Sequence, residues 1–261
     1  MPSARRLATE LRELRWSHVL VELLLLIVGI LIALAVDGWI DDRRDARAER
    51  QYLERLQRDL DRNLAILDEY IAFEERQTAD GIRAYRALRG AGDDDREGIA
   101  ATLNHLANRR TLWLVRATYE DLLATGNLGL IRDAASRDSI VRLYQEVERT
   151  MAVIDRNNMV LVDQLYGLPL LDSGLVVPRF TTNLPGTLAK SMSELQSRIG
   201  LAADPAPDRL WTLSVDAPER VRLANRVLRR TIVSQSSQSQ AQALRVQVES
   251  VRAELAAGLG R

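Results

Sequence analysis

The stretch YLERLQRDLDRNLAILDEYI, residues 52–71, places leucine or isoleucine at 53, 56, 60, 64, 67 and 71. With 3.6 residues to a turn, intervals of three and four bring those side chains to one side of an α-helix. The other side is charged, with Glu54 and Arg58, and Arg55 and Asp59, at the i,i+4 spacing of helical ion pairs. Such a helix holds its shape mainly because neighbours cover its apolar stripe, so the stretch predicts a helical bundle.

The same periodicity recurs further along. Gly90, Gly92 and the acids Asp93, Asp94 and Asp95 mark a loop, with Asp95 placed to cap the next helix. That helix is expected to run to about Thr125, with Leu103, Leu106, Leu112, Val115, Tyr119, Leu122 and Leu123 as core, and to stop at Gly126-Asn127 in a left-handed glycine. A third helix from about Ala134 carries Ile140, Leu143, Tyr144, Val147, Met151, Ile154, Met159 and Leu161, ending before Pro169. Residues 172–215 hold most of the prolines and read as irregular, interrupted by a short helix near 188–199. Asp216, Pro218 and Glu219 then open a last long helix reaching about Ala257. No run of alternating polarity suggests a sheet, so the predicted fold class is all-α, an up-and-down bundle.

Toward the N-terminus, no proline and no glycine lies between Trp39 and Asp80, so the first helix should extend back without a break. It reaches LLLLIVGILIALAV, residues 23–36, a strictly apolar run flanked by Trp16 and Trp39. Those tryptophans lie about 35 Å apart on a helix, which fits one bilayer crossing with aromatic belts. The organisation read from this is a basic tail at 1–16, a transmembrane helix at 17–40 and a bundle domain at 41–261. A cleaved signal peptide is the rival, since Arg5, Arg6, Arg12 and Arg15 resemble a basic n-region and Ala33-Leu34-Ala35 has the cleavage form. Against it, the basic region is long, Glu22 interrupts the apolar stretch, and helical pattern continues past Trp39. Arg43, Arg44, Arg47 and Arg50 follow the span as closely as the tail's four arginines precede it, but a short basic tail ahead of a first span usually stays in the cytoplasm, which predicts a cell inner membrane protein, single-pass, with its C-terminal domain extracytoplasmic.

Composition removes several function classes. With no cysteine there is no disulfide, thiolate zinc site or cysteine nucleophile, and the two histidines are His18 and His105. The formal charge is zero, with 36 basic and 36 acidic residues interleaved, so no basic stripe invites nucleic acid. No phosphate-binding glycine loop occurs, and no cofactor is implied. Asp93, Asp94 and Asp95 lack the alternating ligands of a calcium loop.

Two motifs bear a resemblance. VELLLLIVGILIAL at 21–34 with Asp37, Trp39, Tyr52-Leu53, Leu56, Asp59-Leu60 and Asn63, and then Thr118-Tyr119-Glu120-Asp121-Leu122 with Gly126-Asn127-Leu128 and Ile131, are similar to an uncharacterised family of bacterial single-span membrane proteins. The resemblance covers roughly the first 150 residues and implies an architecture, an N-terminal span followed by a helical domain, and no activity. Where the family often has a polar residue after Ile-Ala-Leu, this chain has Ala35.

The candidate contact residues sit in the apolar segment. Glu22 and His18 share one face near its boundary, where an ionisable group either reaches water or meets a partner helix. Gly29 and Ala33 form a small-xxx-small pair that permits close helix approach. Trp16 and Trp39 are the expected membrane anchors. Ser234-Gln235-Ser236-Ser237-Gln238-Ser239-Gln240 interrupts the apolar pattern of the last helix and reads as a polar layer, an exposed turn, or a break. Asn63, Asn157 and Asn158 are either register-fixing core groups or exposed.

Three functions compete. The preferred one is a non-enzymatic scaffold or modulator, tethered to the lipid bilayer and acting on a protein partner or a second copy of itself. The second is an extracytoplasmic ligand sensor signalling through a partner. The third is a hydrolase of envelope lipid or glycan, which two convergent buried carboxylates would favour.

Overall fold

The computed structural model describes residues 16–91, 95–176, 190–191, 194–195, 197–198 and 209–259, the side chains of 16–19 excepted. The tail at 1–15, the side chains of Trp16 and His18, Gly92, Asp93 and Asp94, and most of the proline-bearing stretch lie outside them. Among the described residues every regular element is helical, and the fold is all-α.

Helix α1 (Trp16–Leu88) is a single rod of 73 residues, about 110 Å long, with no interruption between Trp39 and Tyr52. The chain then returns along it. Helix α2 (Arg96–His105) starts at Asp95, whose carboxylate accepts the Gly98 N–H at 2.9 Å. The expected continuous helix to Thr125 does not form: residues 108–116 are non-helical, with residues 112–114 in an extended pattern of burial, and α3 (Ala117–Ala124) follows. The cause lies in Leu112-Trp113-Leu114, which alternates buried, 75% exposed and buried, the period of extended chain. Thr111, Trp113 and Val115 are also weak helix formers. Leu123, expected in the core, is exposed. Gly126 has φ 71°, the left-handed stop the sequence predicts, and leads into a 3₁₀ turn, Asn127–Leu130.

Helix α4 (Ala134–Asn157) is capped by Asp133, which accepts from Ser136 N–H at 3.0 Å, and it climbs parallel to α1. It passes into a π-helix, Asn158–Gly167, and then into α5 (Leu168–Asp172), where Pro169 occupies the first turn. The wider turn returns Asn158, Val162, Tyr166 and Leu170 to the core at intervals of four. Met159, expected inside, consequently faces out.

Helix α6 (Pro218–Leu259) descends antiparallel to α1. Its Arg220 donates to the carbonyls of Leu88 and Ala87 at 3.0 Å each, while further down Arg245 meets Asp68 at 2.6 Å and Arg252 meets Asp61. The Ser/Gln run causes no break. One buried stripe of α6 keeps strict alternation of three and four through Val227, Arg230, Ser234, Ser237, Ala241 and Leu244, with Thr231 and Val233 buried beside it, and α1 does the same through Leu60, Asn63, Leu67, Tyr70, Glu74 and Gln77. Gly81 lets the two helices approach, since a Cβ there would sit 2.0 Å from Thr231 Oγ1. The surface ion pairs also differ from those expected: Glu54 bonds Arg50 at 3.1 Å, Arg55 reaches Asp121 at 2.8 Å, and Asp59 turns into the core.

Candidate functional site

Two apolar cores occupy the bundle. One contains Leu56, Leu67, Leu143, Val147, Leu244 and Val248, the other Leu88, Leu103, Leu106, Leu170, Leu223 and Val227. Between them lies a buried polar layer contributed by Tyr70, Glu74 and Gln77 of α1 and Arg230, Ser234 and Ser237 of α6.

Arg230 is 1% exposed and is the centre of that layer. Its Nε donates to the Leu106 carbonyl at 2.9 Å, one Nη donates to the Asn108 carbonyl at 3.1 Å, and the other donates to the Ser234 hydroxyl. Glu74 Oε2 lies 3.7 Å from the guanidinium, too far for a hydrogen bond, and has no hydrogen-bond partner. Burial pushes the Glu74 carboxyl above its ordinary range, and the Arg230 charge opposes that shift. Burial likewise raises Tyr70, with the Glu74 charge adding to it. Two of the three hydrogen bonds of Arg230 therefore go to backbone carbonyls just past the end of α2.

The extended segment depends on such help, because a non-helical backbone buried among helices needs partners for its polar groups. Asn63 supplies two: its amide donates to the Val115 carbonyl at 2.9 Å and accepts the Val115 N–H at 2.7 Å. Asn158 donates to the Arg110 carbonyl at 3.1 Å. Asp59 accepts both the Thr118 N–H at 3.1 Å and its hydroxyl at 2.6 Å, capping α3 from another helix. Further down, Asn127 donates to Tyr52 Oη at 3.1 Å, and the rings of Tyr119 and Tyr144 stack with centroids 4.4 Å apart. Two pairs, Asp59 with Thr118 and Tyr52 with Asn127, thus join the two sequence motifs. Asn63 and Asn158 are core groups, and Ser234 and Ser237 make the Ser/Gln run a polar layer.

The predicted contact residues lie elsewhere. Glu22, Gly29 and Ala33 are exposed on α1, and a Cβ at Gly29 would meet nothing within 4 Å. Twenty-seven residues separate Gly29 from the core residue Leu56, about seven and a half turns, so the small-residue face points away from the core side. Trp39 is exposed, with the Arg43 guanidinium 4.0 Å from its ring centroid. Residues 20–40 are exposed throughout, and this helix is long and apolar enough to cross a membrane.

Among the described residues, no three His, Asp or Glu side chains converge as a metal site requires. The buried carboxylates Asp59 and Glu74 stand 15 residues apart on one helix, about 22 Å, whereas paired glycosidase acids stand roughly 5–9.5 Å apart. The chain matches no protein-family model, no curated protein and no solved structure.

Proposed function

We propose that the protein is a non-enzymatic, single-span membrane tether whose helical bundle acts as a scaffold or modulator of a protein partner or a second copy of itself. The observation that carries this reading is the apolar, wholly exposed stretch at 20–40, which runs without a break into the first helix of the bundle. So large an apolar surface on a folded chain needs a bilayer or a partner to cover it. The buried polar groups support the non-enzymatic part: Arg230, Asn63, Asn158 and Asp59 spend their hydrogen bonds on the chain's own backbone. The shortness of the basic tail ahead of the span favours an inner-membrane protein with its bundle outside the cytoplasm.

Reporter fusions at Gly92 and Arg261 test the placement, and both are expected to behave as exported. Cytoplasmic activity at both overturns it. Association is tested by crosslinking in native membranes: Gly29→Leu is expected to abolish crosslinks of the full-length chain while the bundle stays folded. Unchanged crosslinking in both Gly29→Leu and Glu22→Ala would move partner recognition from the span to the bundle.

A further inference from the structure

At the lower end of the bundle, α1, the 3₁₀ turn, the start of α4 and the end of α6 enclose a cleft of about 420 Å³. That is a volume typical of small-molecule sites, roughly 300–1,000 Å³. Its floor is apolar, made by Leu53, Ile131, Leu255 and Leu259. Its polar groups are already engaged. Glu49 accepts the Arg132 N–H at 2.7 Å, Ser136 Oγ lies 2.6 Å and 3.0 Å from the carboxylates of Asp133 and Glu254, and Arg50 bonds Glu54 at 3.1 Å. Beside the engaged carboxylates of Glu49 and Asp133 the cleft offers its apolar floor, and the ligand that suits that floor is a hydrocarbon chain.

The position of the cleft selects the source of that chain. Ala46 at its edge is seven residues past Trp39, about 10 Å along an unbroken helix, while the headgroup zone is about 5–8 Å deep on each side of the hydrocarbon. The near edge of the mouth therefore stands just outside the headgroup zone. Near that level the guanidinium groups of Arg50, paired with Glu54, and Arg132, paired with Asp42 and Glu49, stay more than half exposed and keep N–H groups for a phosphate. We infer that the cleft holds one acyl chain of a membrane phospholipid lifted from the adjoining leaflet, with its phosphate at the arginine rim. This rests on the membrane reading above.

The test uses the full chain in phosphatidylcholine vesicles containing a trace of radiolabelled phosphatidylcholine. A photoreactive benzoylphenylalanine replaces Gly258, a cleft residue where an added Cβ meets nothing within 4 Å. A second chain carries it at Arg44, nearer the bilayer but outside the cleft. Lipid adducts are expected at 258, and Leu259→Arg, which puts a charge in the floor, should cut them at least fivefold while labelling at 44 is unchanged. A thermal unfolding curve checks that the variant is folded. Labelling at 258 that is absent, unaffected by Leu259→Arg, or directed to a second copy of the chain overturns the inference. Protein that floats with the vesicles but fails this test loses the lipid site alone, whereas protein that does not float loses both readings.

Discussion

Replacing Arg230 with methionine keeps an unbranched side chain in the core and removes every donor. Three things are lost: hydrogen bonds of 2.9 Å and 3.1 Å to the carbonyls of Leu106 and Asn108, the bond to Ser234, and the counter-charge 3.7 Å from Glu74. A buried carbonyl left without a donor costs about 1–3 kcal/mol, and stranding one partner of a buried ion pair costs about 3–5 kcal/mol. These costs overlap, because the layer relaxes as a unit, so Arg230→Met should lose about 4–5 kcal/mol, a large share of a domain's usual stability of about 5–15 kcal/mol. The double variant Glu74→Leu/Arg230→Met separates the causes. It removes the stranded carboxylate but leaves two unpaired carbonyls, so it should recover only about 1–2 kcal/mol. The measurement is urea unfolding of the full chain in detergent, followed by helical circular dichroism, with slopes compared to confirm that only the midpoint moves. A double variant as stable as the parent would mean that Arg230 serves Glu74 and not the backbone, and would refute the reasoning.

Asn63→Leu, which strips both bonds from Val115, should cost about 2–4 kcal/mol in the same assay, whereas a loss under about 0.5 kcal/mol would show that water replaces the amide. Gly81→Ala drives a methyl into Thr231 and should destabilise by about 1–3 kcal/mol, with partial rescue by Thr231→Ala; simple additivity of the two would contradict the contact. Glu74 has a raised folded pKa, so its contribution to stability is fully present below the ordinary carboxylate range and is lost as pH rises through the folded value. Parent stability measured against Glu74→Gln should therefore fall as pH rises above the ordinary carboxylate range, and parallel curves would count against it.

Much of the helical frame was legible because periodicity is a local property. Leu56, Leu60 and Leu67 are buried as their spacing predicts, and so are Ile140, Leu143, Val147 and Ile154. Gly126 and Asp95 act as the stop and cap their residue types imply. The extended segment was not legible, since residues distant in sequence hold it: Asn63, Arg230 and Asn158 come from three different elements. A signal for the polar layer was present in the phase. Arg230, Ser234 and Ser237 continue the interval of Leu223, Val227 and Leu244 without a slip, so composition suggested an interruption where register shows core positions. The π-helix left no such signal, because its four-residue interval of buried side chains fits an ordinary helix nearly as well.

The unbroken α1 also gives the molecule a lever. From Trp39 to Leu88 the rod spans 49 residues, about 73 Å, and no hinge separates the part in the proposed bilayer from the part that organises the bundle. Transmembrane helices tilt by about 20° on average and tilt further in a thinner bilayer. At that angle the far tip swings sideways by about 25 Å, so a few degrees of change at the anchor become ångströms of travel at the loop after Leu88. A partner bound there would register bilayer thickness through the position of the tip alone, with no rearrangement inside the bundle.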